Sequence, residues 1–401
     1  MNKNDVRKLM EIAEVSAGGT PSRRKPEYWE NGTIPWFKIR DMKGKYINES
    51  SEFITELGFQ YSNVKMFSKG TILYSIFATI GDIAILEIDG TTNQAIAGIN
   101  PDTSIVTSEY LYYYLQSLKD EVNALGRGVA QNNINLTMLK NLTVVIPKIV
   151  DQDSIVSILK ISESLIKNRQ SQLKALDELS QSLFLEMFGD PVKNNQSWRV
   201  ANLEDITNKI GSGATPRGGK EAYKTEGISL IRSMNVHNGL FKYKDLAFID
   251  ENQAKKLENV EVFENDILLN ITGASVARSC LVPKEILPAR VNQHVSIIRL
   301  DSDNVNNWYV SYLFTSENFQ HSLWKIATSG GATREAITKD QLKKLEIILP
   351  PITLQNEFAE KIQAIEAQKK QLTQSLAQYE ELHQSLLQKA FRGELFQDVT
   401  N

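Results

Sequence analysis

The chain has 401 residues, beyond the length at which a single hydrophobic core usually stops growing, so more than one domain is expected. Its 41% hydrophobic and 23% charged composition and mean hydropathy of -0.29 describe a globular protein, not a disordered or collagen-like one; the net charge is -3. A single cysteine, Cys280, excludes an intrachain disulfide and a multi-cysteine zinc site, four histidines argue against a histidine-rich metal cluster, and no apolar run or N-terminal apolar core marks a membrane span or secretion signal, so a cytoplasmic location is expected.

In chain order, residues 1–150 carry short β-branched and aromatic runs such as Gly70 to Leu86, punctuated by Gly, Asn, Asp and Pro, with a helical patch at Ser108 to Leu118. They predict an α+β globule. Residues 151–190 lack internal Gly and Pro until Gly189 and space Ile155, Leu159, Ile166, Leu173, Leu176, Leu183 and Met187 along one helical stripe. Residues 191–353 return to globular text, with strand-like Asp266 to Val282 and a helical patch at Asn307 to Trp324. Residues 354–401 form a second long helix, with Phe358, Ile362, Ile365, Leu372, Leu376, Tyr379 and Leu386 on its stripe, and a tail. A run of roughly 36 residues spans about 54 Å, too long to bury against one small globule. The two helices are therefore expected to pack on each other as an antiparallel coiled-coil spacer, each preceded by its own globule.

The same text occurs twice. Gly18-Gly19-Thr20-Pro21 returns as Gly213-Ala214-Thr215-Pro216, Ile39-Arg40 matches Ile231-Arg232, Gly70 to Tyr74 matches Asn265 to Leu269, and Asn93-Gln94 matches Asn292-Gln293. Further on, Ile134 matches Ile337, Leu139 matches Leu342, Pro147 matches Pro350 and Gln152 matches Gln355. Two units this long are a duplicated domain and not a solenoid, whose periods are about 20 to 50 residues.

The repeat also localises the charge. The window from Ser16 to Asn48 holds seven basic residues, Arg23, Arg24, Lys25, Lys38, Arg40, Lys43 and Lys45, against three acidic ones. The window from Lys209 to Lys244 holds seven, among them Arg217, Lys220, Lys224, Arg232, Lys242 and Lys244, against two. Paired basic windows at equivalent positions point to a polyanion surface, with Arg and Lys suited to guanine and to phosphates and Asn and Gln to adenine. Thr20, Thr215, Asn235 and His237 are interleaved within those windows, and the glycine-flanked clusters around Gln131-Asn132 and Arg334 provide further candidate contacts. Arg40 and Arg232 are the sharpest expectations, because each follows a matched hydrophobic residue.

The succession Gly18-Gly19-Thr20-Pro21, Trp36 to Asp41, Gly70 to Leu73, Ile146-Pro147 with Gln152 and a long helix, then the series again through Leu349-Pro350-Pro351 with Gln355, resembles the specificity subunit of type I restriction-modification enzymes. The resemblance implies two target-recognition domains, 1–150 and 191–353, each reading one half of a split site in double-stranded DNA, with the helices at 151–190 and 354–401 fixing the gap. It also implies docking of two methyltransferase subunits and, through them, of restriction and translocase subunits. S-adenosylmethionine, ATP and Mg are then expected on those partners, with none bound by this chain.

No phosphate loop, dinucleotide fingerprint, adenine-methyltransferase motif, His-Glu-x-x-His or Gly-x-Ser-x-Gly occurs, so no catalytic residue and no metal ligand is assigned. Cys280 and His294 lie in apolar strand-like text and are expected to be buried. The competing expectation is a coiled-coil interaction scaffold whose basic loops bind another acidic partner.

Overall fold

The β-branched runs become strands whose neighbours come from distant parts of the chain. A computed structural model describes residues 5–77, 79–126, 134–216, 218–329 and 335–395. Two units emerge, residues 1–170 with 374–401 and residues 171–373, so each long helix contributes one half to each unit.

In the first unit a five-stranded sheet runs in the order Ala13–Ala17, Ile96–Pro101, Ile72–Ser75, Ile83–Leu86, Tyr46–Ile47, and a four-stranded sheet in the order Phe53–Ile54, Ile34–Phe37, Gly90–Thr92, Met66–Phe67. The second unit has a four-stranded sheet ordered Thr207–Ser212, Val295–Leu300, Ile267–Asn270, Ser279–Leu281 and another ordered Ala247–Ile249, Ile228–Ile231, Ala289–Val291, Glu261–Val262. Each unit also pairs a strand that opens its globule with the strand that leads into its long helix, Asp5–Lys8 with Thr143–Ile146 and Arg199–Asn202 with Glu346–Leu349, both antiparallel. The mixed helix and sheet architecture of both repeats is the α+β class that the sequence predicts.

The long helices span Ile149–Phe188 and Ile352–Arg392. Their halves run antiparallel within each unit. In the first, Ser162 Oγ lies 2.7 Å from His383 Nδ1 and Arg169 Nη2 donates to Tyr379 Oη at 3.4 Å; in the second, Lys369 Nζ pairs with Asp177 at 2.7 Å and Phe184 packs on Phe358 with ring centroids 5.6 Å apart. Each helix pair is also sewn to its globule by equivalent contacts. Tyr113 reaches Glu163 at 2.7 Å and Tyr312 reaches Glu366 at 2.8 Å, while from the same short helices Tyr110 Oη donates to the Val145 carbonyl and Tyr309 Oη to that of Ile348, both at 2.8 Å, on the strands that lead into the long helices. Phe391 packs edge-on against Tyr110, and Phe188 does the same against Tyr309.

The buried cores follow the predicted stripes. Ile155 and Leu159 join Tyr110, Leu111 and Leu139 in the first unit, and Phe358 and Ile362 join Tyr309, Leu313 and Leu342 in the second. Cys280 is buried, and burial pushes its thiol up to about 12. His294 is only half-buried, because its ring stands at a strand end, where it bonds to neighbouring side chains. Among the described residues no helix is long and apolar enough to cross a membrane, and no group of three or more His, Cys, Asp or Glu side chains could hold a metal ion.

Candidate nucleic-acid interface

The duplicated motifs meet at the carboxyl ends of one parallel strand pair in each unit. In the first, Ile34–Phe37 runs parallel to Gly90–Thr92 with Phe37 opposite Thr92; in the second, Ile228–Ile231 runs parallel to Ala289–Val291 with Ile231 opposite Val291. The Phe37 carbonyl accepts the Asn93 N–H at 3.2 Å, and the Ile231 carbonyl accepts that of Asn292 at 3.0 Å.

This register corrects the sequence match by two residues. Phe37 is equivalent to Ile231, so Lys38, not Arg40, is the counterpart of Arg232. The next turn agrees: the Lys38 N–H donates to Asp41 Oδ2 at 2.8 Å, and the Arg232 N–H donates to Asn235 Oδ1 at 3.1 Å. Similar dipeptides align at either offset, and only the ladder of hydrogen bonds chooses between them.

A third segment closes the site. Gly18 N–H donates to the Ile96 carbonyl at 3.0 Å and Gly19 N–H to that of Thr92 at 2.9 Å, while Gly213 N–H donates to the Asn292 carbonyl at 3.1 Å. A Cβ at Gly18 would collide with Thr92, and one at Gly213 with the Val291 carbonyl, which is why glycine opens the tetrapeptide in both copies. At Gly19 a Cβ would also meet the Asn63 backbone, a crowding specific to the first copy. The tetrapeptide is thereby pressed onto the strand end, and Thr20 donates to Gln94 Oε1 as Thr215 donates to Gln293 Oε1 at 2.5 Å.

In the first unit the cations gather around one carboxylate. Arg23 and Lys38 both pair with Glu52, and Arg40 reaches it at 3.5 Å while its Nη2 donates to Ser51 Oγ at 3.0 Å. Partial burial raises the Glu52 pKa, but hydrogen bonds from Lys38 and Arg23 outweigh this and hold it below the ordinary carboxylate range. The Arg23 guanidinium lies 3.5 Å from the Trp29 ring centroid and 4.9 Å from that of Trp36, and Trp36 Nε1 donates to the Gly19 carbonyl at 2.9 Å. Arg23 and Arg40 are 52% and 63% exposed, so both remain open to a ligand. Thr20, Arg24, Lys25 and Lys43 are exposed as well, Lys25 with its Nζ 2.9 Å from Tyr28 Oη.

Lys45 departs from expectation. Its side chain is 12% exposed, its Nζ sits 4.0 Å from the Tyr113 ring centroid, and burial lowers its pKa, so it faces the core and not a ligand.

In the second unit Arg232 is half-buried, stacked 5.3 Å from the Tyr223 ring centroid, with Nη2 donating to the Asp245 carbonyl. Asn235 is a second correction. It is fully buried, and its Nδ2 donates to the carbonyls of Lys242 at 2.9 Å and Lys244 at 3.3 Å, so it holds the basic loop in place without reaching a ligand. Lys224, Lys242 and Lys244 are exposed, Lys224 pairing with Asp250 at 3.4 Å. His237 is half-buried; burial and then the charges of Lys242 and Arg278 lower its pKa, which keeps the imidazole neutral and suits it to hydrogen bonding more than to phosphate. Gln131, Asn132, Arg217 and Arg334 lie outside the described residues, as does the side chain of Lys220.

Sequence reasoning assigned no role to Glu52, which carries no motif, and used Gln94 and Gln293 only as marks of the repeat. A groove of the second unit, about 590 Å³ and lined by Pro191, Val192, Phe319, Ile326 and Lys344, shares no residue with this site.

The family model for the type I restriction modification DNA specificity domain matches residues 1–175 and again 195–382. The chain belongs to this family. Its relatives include the type I restriction enzyme MjaIX specificity subunit of Methanocaldococcus jannaschii, 27% identical over 98% of this chain and 93% of that one. The EcoR124I/EcoR124II specificity subunit of Escherichia coli is 29% identical over 44% of this chain and 45% of its own length. Among solved structures, the type I restriction-modification S subunit from M. genitalium has a TM-score of 0.57 at 14% identity, covering 98% of this chain and 97% of that one. A chain from a type I restriction-modification system, solved for its complex assembly and conformational transition, reaches 0.62 at 18% identity, covering 98% and 99%. Specificity subunits of type I systems supply DNA recognition and are non-catalytic, and both repeats of this chain are specificity domains.

Proposed function

We propose that each repeat reads one half of a split site in double-stranded DNA, through the cations and amides at the carboxyl ends of its parallel strand pair. The observation that carries the reading is the duplication of that site: tetrapeptide, cation-bearing strand end and Asn-Gln strand end recur together in both units. Arg23, Arg40, Arg232, Lys242 and Lys244 would supply phosphate and base contacts, and Arg24, Lys25, Lys43 and Lys224 a surrounding positive field. The long helices set the gap between halves, whose centres would be about 34 to 36 Å apart. The chain docks two methyltransferase subunits and, through them, the restriction and translocase subunits, which carry S-adenosylmethionine, ATP and Mg; its place is the cytoplasm.

The test maps adenine methylation across the genome of a host carrying this gene with its partner methyltransferase, beside a host lacking this gene alone. Modification confined to a split motif and absent without the chain is expected. Unchanged methylation in the second host would favour an interaction scaffold.

A further inference from the structure

Three features of the duplicated site converge on a residue that carries no charge. The glutamine of each Asn-Gln pair lies two residues past the strand that runs parallel to the cation-bearing strand, so the same end of one strand pair carries an amide and a cation in both copies, Gln94 and Lys38 in the first and Gln293 and Arg232 in the second. Both glutamines are exposed. Both have the carbonyl oxygen of the side-chain amide tied to the hydroxyl of the repeated tetrapeptide, Thr20 or Thr215. An exposed glutamine ordinarily samples many rotamers, and fixing one costs side-chain entropy. Here the close-packed glycine, the threonine and the strand end fix it in advance.

The bonds also determine which face of the amide is presented. With Oε1 engaged by a hydroxyl donor, Nε2 points its hydrogens outward. In the second unit one of them donates to His294 Nε2 at 3.1 Å, and the ring's Nδ1 stands 2.6 Å from Thr272 Oγ1. An imidazole that accepts at Nε2 carries its proton at Nδ1 and donates it to Thr272 Oγ1, so the relay runs Thr215, Gln293, His294, Thr272. The first unit has Ala95 in place of His294, and among the described residues no hydrogen-bond partner of Gln94 Nε2 is seen.

We infer that Gln94 and Gln293 are specificity-determining residues, each donating from its side-chain amide to an acceptor on a base edge of its own half-site. The acceptors that the major groove offers are guanine N7 and O6, adenine N7 and thymine O4, whereas cytosine presents a donor. Thr20, Thr215 and His294 are positioning residues that act through the amides. This inference rests on the proposed reading of split DNA, and it goes further by naming the residue in each half and the kind of base edge it selects.

The experiment uses the full chain assembled with its partner methyltransferase subunits. Methylation rates are measured on duplexes in which each base pair of the site is varied singly. The unaltered complex is measured first. If it reads no split site, the proposed function fails and takes this inference with it. If it does, Gln94→Ala is expected to lower discrimination about tenfold or more at one or two positions of one half-site and leave the other half unchanged, with Gln293→Ala doing the converse. Gln94→Glu, nearly the same shape, replaces donors by acceptors and is expected to move the preference at that position towards a base pair presenting a donor, such as cytosine N4; it decides the matter if the alanine variant fails to fold. Unaltered discrimination in Gln94→Glu and Gln293→Glu complexes that retain activity, or an equal loss at both halves, would overturn the assignment.

Discussion

Gln152 accepts the backbone N–H of Thr107 through Oε1 at 2.9 Å and returns two bonds through Nε2, to the carbonyls of Ile105 at 2.9 Å and Pro147 at 3.0 Å. Gln355 repeats the arrangement with the Asn306 N–H at 3.0 Å and the Pro350 carbonyl at 2.7 Å. Both side chains are fully buried, and each ties the first turn of a long helix to the loop preceding a globule helix. Gln152→Leu and Gln355→Leu leave those backbone groups unpaired in the interior, at an expected cost of roughly 1–3 kcal/mol each. Thermal unfolding followed by circular dichroism should show a lowered melting temperature in each case. A melting curve superposable on that of the parent chain would show that these amides are dispensable.

Arg232 and Lys38 occupy equivalent positions, so their loss should be felt in different halves of the DNA site. Arg232→Ala is expected to relax recognition in one half only, by about 1–3 kcal/mol if the guanidinium makes a bidentate base contact. Lys38→Ala should weaken the other half. Binding of each variant complex to duplexes altered in one half-site distinguishes this from a uniform loss, which would mean phosphate contact alone.

Glu52 gathers Arg23, Lys38 and Arg40, and so tempers the positive field of the first unit. Glu52→Gln removes that charge and is expected to raise affinity for non-specific DNA several-fold, with a steeper dependence on salt concentration. Titration of fluorescent random-sequence duplex at two salt concentrations measures both. Weaker binding would mean that Glu52 acts chiefly by holding Arg23 in place.

His383 is buried between the helices of the first unit against Ser162, and burial lowers its pKa below the usual 6.5, the nearby Glu163 opposing only in part. The unfolded chain therefore takes up this proton first, and the stability contributed by the neutral ring is lost as pH falls below about 6.5 towards the folded pKa. His383→Gln, neutral throughout, should flatten the fall in melting temperature between pH 7 and 5. An unchanged pH profile would place the titration elsewhere.

The helix pair as spacer predicts a metric result. A matched seven-residue insertion in both helices, beside Gln170 and Thr373, lengthens the pair by about 10 Å while keeping its seam in phase. At about 3.4 Å per base pair, the gap in the methylated motif should grow by roughly three base pairs, with both half-site sequences unchanged. An unaltered gap in an active complex would rule out the spacer.

Much of this was legible in the chain itself. The repeat, both basic windows and both long helices follow from local text, because apolar spacing, punctuating glycine and charge are properties of neighbouring residues. Even the Gln152 and Gln355 staples were visible as a matched pair, although not what they bond. Where sequence reasoning failed, a contact made only in the folded chain decided, across 68 residues for Lys45 and within one loop for Asn235. Lys45 and Asn235 read as basic and amide surface, but one lies against Tyr113 and the other beneath the loop of Lys242 and Lys244. The equivalence of Lys38 with Arg232 needed the hydrogen bonds of Asn93 and Asn292, and the meeting of Thr20 with Gln94 joins residues 74 positions apart. The sequence by itself determined that two like domains and two paired helices exist and where their charge lies. Only the tertiary structure decided which of those side chains face outward together, since burial and register are set by strands that meet across long stretches of chain.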